Sequence, residues 1–371
     1  MDTWTITPAP APAGLDDPEA WALHGMAAVS HAVDGALWGH TDTAFSARYL
    51  LARLGERTYA RRTFLVATAP DGAGDPDAVV GYASVIMPNQ GNDHAGFVDV
   101  VVHPAHRRAG VGTALLTEGE RLVRAAGRDT VISSSEHRGE PAPDAPDALV
   151  APTGSGRILA TDPGARFAMA HGYTLGQAER YSMLELPVDP THLERLRADA
   201  EARAGSGYRL LRWRDRAPDE HVAGLAVLET RMTTDAPNGE VDFREEVWTV
   251  ERVRDHEQRI AEANHGFLVV AVQHVGTGDL VGFTMVEYVL DEDEPVFQED
   301  TIVLSEHRGH RLGMLLKADM LQWLAAERPA ARRVHTWNAE ENAHMLGINV
   351  ALGFRPVGVA GMWQKVSPTQ A

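Results

Sequence analysis

Apolar and polar positions alternate along the chain in two regimes. Segments rich in β-branched and aromatic residues, TFLVATA (63–69), VVGYASVIM (79–87) and GFVDVVVHP (96–104), are bounded by turn residues and predict strands. Before them stand a short extended piece, WTITP (4–8), and a long segment, 16–39, that opens on Asp and predicts a helix; further helical text runs through Arg62. After them GVGTALLTEGERLVRAAG (110–127) predicts a helix, with Leu115, Leu116, Leu122 and Val123 near a 3–4 spacing and Gly127 at its end. A strand DTVISSS (129–135), a short helix PGARFAMAHGY (163–173) and a closing strand RYSMLELP (180–187) complete the series.

The same order recurs. VVGYASVIM at 79 matches LVGFTMVEY at 280, and FVDVVVHPAHRRAGVG at 97 matches QEDTIVLSEHRGHRLG at 298, both 201 residues apart. YRLLRW (208–213), VAGLAVLETRM (222–232), MLLKADMLQWLAAE (314–327), RRVHTWN (332–338) and ENAHMLGINVALGF (341–354) fill the remaining places. The landmarks HGY, ending at Tyr173, and LGF, ending at Phe354, are only 181 apart, so the first half carries an insertion, which 138–157, rich in Pro, Gly, Ala and Asp, supplies as a loop. One order of elements twice predicts a tandem repeat: a domain over 1–187, a linker helix over 188–206 and a second domain over 207–371. The fold class expected is mixed α/β (α+β), each half a mostly antiparallel sheet flanked by helices.

Composition narrows the chemistry. The 371 residues contain no cysteine, which removes disulfides, thiolate metal sites and a Cys nucleophile. A formal charge of −18 disfavours nucleic acid as a partner. No apolar run reaches the ~18 residues of a membrane span, and the N-terminus has no basic-then-apolar signal pattern, so the expected location is the cytoplasm.

The junction HPAHRRAGVGTALL places a strand, a basic glycine turn and a helix in that order. A helix N-terminus leaves backbone N–H groups free and carries partial positive charge, and glycine lets a phosphate approach them. Arg107, Arg108, Ala109, Gly110, Val111, Gly112 and Thr113 therefore read as a pyrophosphate cradle, with Arg308, Gly309, His310, Arg311, Leu312 and Gly313 at the homologous place. Arg107-x-x-Gly110-x-Gly112 resembles the signature of the GNAT N-acetyltransferases, and the resemblance covers most of both halves. It implies that the turn binds acetyl-CoA, that Val100, Val101 and Val102 pair with the pantetheine arm, and that the acetyl group passes directly to an amine. The tandem arrangement is also found in mycothiol synthase. In the second half Arg311 replaces the first glycine: either a left-handed backbone there disfavours the side chain and blocks close phosphate approach, or Arg311 and His310 contact the phosphates themselves. The late segment of that half has Asn338, Asn342 and Asn349; the resemblance implies cofactor contacts for Asn338 and Asn342, and the first half has Thr161 at the second of these places. The complete turn favours the first half for tight cofactor binding.

An amine of the lysine type has a pKa near ~10.4 and must lose a proton before it attacks. Asp99 and Asp300 occupy equivalent strand positions eight residues before Arg107 and Arg308, and are the base candidates, followed by Glu136, His137 and Glu287. The tyrosine that the resemblance implies as acid is replaced by Ala168 and Asn349. His103/His106 and His307/His310 have metal-like spacing, but they straddle a strand-to-turn junction, so no metal is expected. Asp235, Glu240, Asp242, Glu245 and Glu246, in a polar loop over 230–248, could receive a cationic small-molecule amine or form a solvated acidic face. The alternatives to a small-molecule N-acetyltransferase are a non-catalytic acyl-CoA sensor, a mycothiol-synthase-like enzyme and a protein-lysine acetyltransferase.

Overall fold

The computed structural model describes residues 4–235 and 237–367. The chain forms two compact units, one of Met1–Pro152, Arg157–Gln177 and Gly361–Ala371, the other of Thr153–Gly156 and Ala178–Ala360. The first contains β1 (Thr5–Pro8), α1 (Trp21–Trp38), α2 (Ala47–Arg53), β2 (Gly55–Glu56), β3 (Ala60–Thr68), β4 (Val79–Pro88), β5 (Ala95–Val102), α3 (Val111–Ala125), β6 (Thr130–Arg138), β7 (Ala148–Val150), β8 (Arg157–Leu159) and α4 (Pro163–Ala170). The strand β9 (Thr174–Glu185) starts in this unit and ends in the other. The second unit holds α5 (Pro190–Ala204), β10 (Tyr208–Arg214), α6 (Val222–Asp235), α7 (Val250–Glu262), β11 (His265–His274), β12 (Leu280–Val289), β13 (Pro295–Val303), α8 (Leu312–Glu327), β14 (Arg333–Ala339) and α9 (Ala343–Leu352). Finally β15 (Arg355–Val366) runs from the second unit back into the first.

Each unit has a parallel strand pair among antiparallel ones. In the first unit β5 pairs β6 in parallel over Ala95–Phe97 against Thr130–Ile132. In the second, β13 pairs β14 in parallel over Pro295–Phe297 against Arg333–His335. Both pairs then part although all four strands continue. A parting of neighbouring strands leaves backbone groups unpaired inside a sheet, which is where an extended ligand can bond.

Strand periodicity explains the layers. In β11, Phe267, Val269 and Ala271 pack with Leu225 and Leu228 of α6 and Val253 and Ile260 of α7. Their neighbours Leu268, Val270 and Val272 pack with Leu193 of α5 and Leu315 of α8. In the first unit Leu23, Met26 and Val29 of α1 close over Phe64 of β3 and Tyr82 of β4.

Four expectations change. The helical text does not reach Arg62: Arg61 and Arg62 pair with Met87 and Ile86, because a strand partner overrides local helix propensity. The inserted segment is not all loop, since Ala148–Val150 forms a hairpin with Arg157–Leu159. The acidic loop begins later than 230, because α6 continues to Asp235. The units are not the contiguous segments 1–187 and 207–371. Glu179–Glu185 of β9 pairs antiparallel with Arg333–Ala339 in the second unit, the helix at 190–204 belongs to that unit, and the chain from Gly361 belongs to the first. Periodicity identifies a strand but not its neighbour.

Candidate functional site

The two basic turns share one backbone shape. In the first unit, Arg108 has φ +65° and Gly110, the N-cap of α3, has φ +86°. In the second, Gly309 has φ +85° and Arg311, the N-cap of α8, has φ +57°. Both turns thus need two left-handed residues, and each supplies one glycine and one arginine, at opposite places. Arg311 does not disrupt the turn; it bears the strain of roughly 1–2 kcal/mol that glycine avoids. The signature arginines act alike, Arg107 Nε donating to Val102 O and Arg308 Nε to Val303 O, each at 3.2 Å. The first helical bonds run from Ala114 N to Gly110 O and from Leu315 N to Arg311 O, so the preceding amides at each helix start have no intrahelical acceptor. A Cβ at Gly112 would lie 3.3 Å from the Phe167 ring, and one at Gly313 3.0 Å from Ile348. The turns therefore fit a pyrophosphate, by their free amides, positive helix ends and close-packed glycines.

The histidine pairs have local partners. His103 Nδ1 accepts from Ala105 N at 3.3 Å, and His307 Nδ1 meets Tyr208 OH at 3.0 Å. Among the described residues no group of three His, Asp or Glu is placed to hold a metal ion.

The partings of the strands differ. In the first unit Asp99 Oδ1 spans the gap, accepting from Ser134 N at 2.8 Å and Ser134 Oγ at 2.9 Å. Burial pushes the Asp99 carboxyl up and these donors oppose it. The pairing of β4 with β5 is unbroken there, Ser84 facing Asp99 and Val85 facing Val98. In the second unit the register slips: Thr284 faces Thr301 but Val286 faces Gln298, so Glu299 and Asp300 together oppose Met285. This is a β-bulge, a device that re-aims side chains. Gln298 fastens it, its Nε2 donating to Met285 O at 2.6 Å and Thr284 Oγ1 at 3.0 Å.

Behind the bulge lies a cleft of about 180 Å³, with Glu299, Asp300 and Thr301 of β13, Lys317 of α8, Trp337 and Asn338 of β14, Asn342 and Met345 in its wall. Asn342 Oδ1 caps α9 by accepting from Met345 N at 3.2 Å. Lys317 is 2% exposed, and burial without a counter-charge lowers its pKa to about 7. Its Nζ donates to Asn349 Oδ1 at 2.7 Å, and Asn349 Nδ2 donates to Asn338 Oδ1 at 2.7 Å. The indole N–H of Trp337 is buried without a partner. Beside Asp300, Glu229 of α6 is buried; burial and the Asp300 charge push its carboxyl well up, against the pull of Arg252, and burial raises Asp300 as well.

The structure therefore brings Asp300, Asn338 and Asn342 together around one cleft. It separates the others. Glu287 is buried against His265 and does not line the cleft, and Glu136 is exposed near the end of β6. Much of the acidic segment meets arginine: Asp235 pairs with Arg231 and Arg308, Asp242 with Arg244, and Glu246 with Arg252. Lys317 and Glu229 are absent from the sequence-based candidates. The one signal was a lysine inside the apolar run MLLKADMLQWL.

A family model described as the Acetyltransferase (GNAT) family matches residues 35–141 and 233–354. No curated protein matches the chain. Among solved structures it is similar to a tandem GNAT protein from the clavulanic acid biosynthesis pathway, at 24% identity, TM-score 0.74 and coverage of 100% of both chains. It is also similar to a GCN5-related N-acetyltransferase from Sphaerobacter thermophilus, at 17% identity and TM-score 0.59, covering 98% of this chain and 95% of that one. A third likeness is to a glucosamine N-acetyltransferase region of a fungal multi-domain GH3 β-N-acetylglucosaminidase, at 13% identity and TM-score 0.59, covering 98% of this chain and 38% of that one. At these identities each likeness speaks for the fold alone. With the basic turn formed twice, the strands parting twice beside it, and the family pattern matched across both halves, the chain belongs to the GNAT acetyltransferase family as two domains in tandem.

Proposed function

We propose that the protein is a cytoplasmic, acetyl-CoA-dependent N-acetyltransferase that moves an acetyl group directly to the amine of a small molecule, and that the reaction runs in the second unit. The observation that carries this reading is the cleft at the β13 bulge, with the half-buried Asp300 carboxyl in one part of its wall and the buried Lys317 in another. Family membership supports acyl transfer as the reaction class.

Acetyl-CoA supplies a thioester, an acyl group already activated toward amines. The turn from Arg308 to Gly313 holds its phosphates through free amides and the positive end of α8. Asp300, with Glu229 behind it, takes the proton from the incoming ammonium. A carboxylate in a buried acidic pair is a stronger base than one in water, which suits this task near neutral pH. Lys317, its pKa lowered to about 7, is protonated in part of the molecules at that pH and delivers the proton to the leaving thiolate, in place of the tyrosine that Asn349 replaces. Trp337 and Asn338 offer polar atoms along the wall.

Calorimetric titration with acetyl-CoA, followed by a CoA-release assay over a panel of small primary amines, tests the reading. Gly313→Asp is expected to abolish turnover, because a Cβ there would meet Ile348 at 3.0 Å and the added negative charge stands at the helix start that would hold the phosphates, and Gly112→Asp to leave it. Lys317→Met is expected to retain acetyl-CoA binding and lower kcat about 100-fold or more. Tight binding without CoA release to any amine would favour the sensor, and turnover lost only in Gly112→Asp would move the reaction to the first unit.

A further inference from the structure

The first unit contains three side chains that the amine reaction does not use. Ser135 and His137 stand two residues apart on β6 and therefore face the same side. Ser135 Oγ lies 2.7 Å from His137 Nε2, and His137 Nδ1 lies 2.9 Å from Asp162 Oδ2. An ionised carboxylate can only accept, so Nδ1 carries the hydrogen and Nε2 accepts the Ser135 hydroxyl proton. His137 is 2% exposed, and burial lowers its pKa, which keeps the imidazole in the neutral form that a base needs. Asp162 holds the N-cap position of α4, yet its side chain makes no cap bond and is turned to His137 instead.

Two further features converge on Ser135. The indole Nε1 of Trp363 donates to Ser135 Oγ at 2.8 Å. The first helical bond of α4 runs from Arg166 N to Asp162 O, and residue 163 is proline, so Gly164 and Ala165 present amides with no intrahelical acceptor. Gly164 lies against the serine: a Cβ there would sit 3.1 Å from Ser135 Cβ and 3.7 Å from its Oγ. Positively polarised amides beside a serine can stabilise an oxyanion. Ser135 is partly exposed and lies beyond Ile132, where β6 has already left β5.

We propose that Ser135, His137 and Asp162 form a second acyl-handling site, in which Ser135 takes the acyl group of a short-chain acyl thioester or activated ester and releases it to water. Ser135 Oγ bonds to the acyl carbon while the bond from that carbon to sulfur or oxygen breaks. His137 Nε2 receives the hydroxyl proton and passes it to the leaving thiolate or alkoxide. Water then attacks the acyl-serine, His137 takes its proton, the carboxylic acid departs and Ser135 regains its hydrogen. Asp162 is a positioning residue that fixes the imidazole tautomer. This site is independent of the amine reaction in the second unit.

The test is covalent labelling of the full-length protein with a fluorophosphonate, read by intact mass and peptide mapping, with p-nitrophenyl acetate hydrolysis as a second readout. One adduct on Ser135 is expected, absent in Ser135→Ala. Labelling and hydrolysis should both slow by about tenfold or more in His137→Gln and in Asp162→Asn. Asp162 is a third exposed, so Asp162→Asn carries the test if the buried His137→Gln fails to fold. Absence of a Ser135 adduct on folded wild-type protein overturns the proposal. So does a labelling rate unchanged in Asp162→Asn, because the serine would then owe nothing to the triad.

Discussion

Lys317 shows how one residue gains chemistry from burial. Its ammonium has lost water and gained the Asn349 amide oxygen at 2.7 Å, the Met345 sulfur at 3.8 Å and the Phe354 ring at 5.5 Å. Desolvation outweighs these and lowers its pKa from 10.5 to about 7. Between those two values the unfolded chain binds a proton at this site that the folded chain does not. By linkage, stability rises with pH across that window. Lys317→Met should raise the melting temperature at pH 7 and flatten the rise between pH 7 and about 10, as read by thermal melts along a pH series. Parallel curves for wild type and variant would mean that Lys317 titrates normally. A kcat profile should show the same group from the other side, falling on the alkaline limb as Lys317 loses the proton it donates.

At the scale of elements, the two basic turns separate backbone demand from side-chain identity. The first unit uses Arg108 and Gly110 at its left-handed positions, the second Gly309 and Arg311. Gly110→Ala is therefore expected to destabilise the first unit by about 1 kcal/mol, while Arg311→Gly should stabilise the second slightly or leave it neutral, since relief of strain is partly offset by unfolded-state entropy. Urea denaturation checks both; a destabilising Arg311→Gly would show that the arginine makes contacts worth more than its strain. The turn signature and its helix were legible in the sequence because glycine, arginine and a following apolar period are local signals. The bulge that sets Asp300 apart from Asp99 was not. Both aspartates occupy the same place in matching strands, and the slip of Val286 onto Gln298 sets them apart. A register shift is decided by the facing strand, which local text does not encode.

At the scale of the whole molecule, the repeat was legible but its boundaries were not. The first unit is completed by the end of the chain: Trp363 is 1% exposed there, Lys365 Nζ bonds Glu120 Oε1 at 2.8 Å, and Ser367 N donates to Asp129 O at 2.8 Å. A chain ending at Ala360 should thus lose structure in the first unit although the missing residues lie more than 180 positions beyond the rest of it in sequence. Loss of the buried Trp363 alone should cost about 3–5 kcal/mol. Hydrogen exchange would show early deuteration of β5 and α3 with β11 and β12 still protected; unchanged protection in the first unit would refute the shared last strand.

The sequence by itself determined the elements, their duplication, the phosphate turn and the family pattern, because helix and strand periods, glycine turns and caps act over a few residues. Only the tertiary structure decided which strand each segment joins, where β13 bulges, that a lysine of α8 is buried at the cleft with Asn349, and that Ser135, His137 and Asp162 meet. These depend on partners distant in the chain, and burial, hydrogen bonding and shifted proton affinity exist only once such partners are packed together.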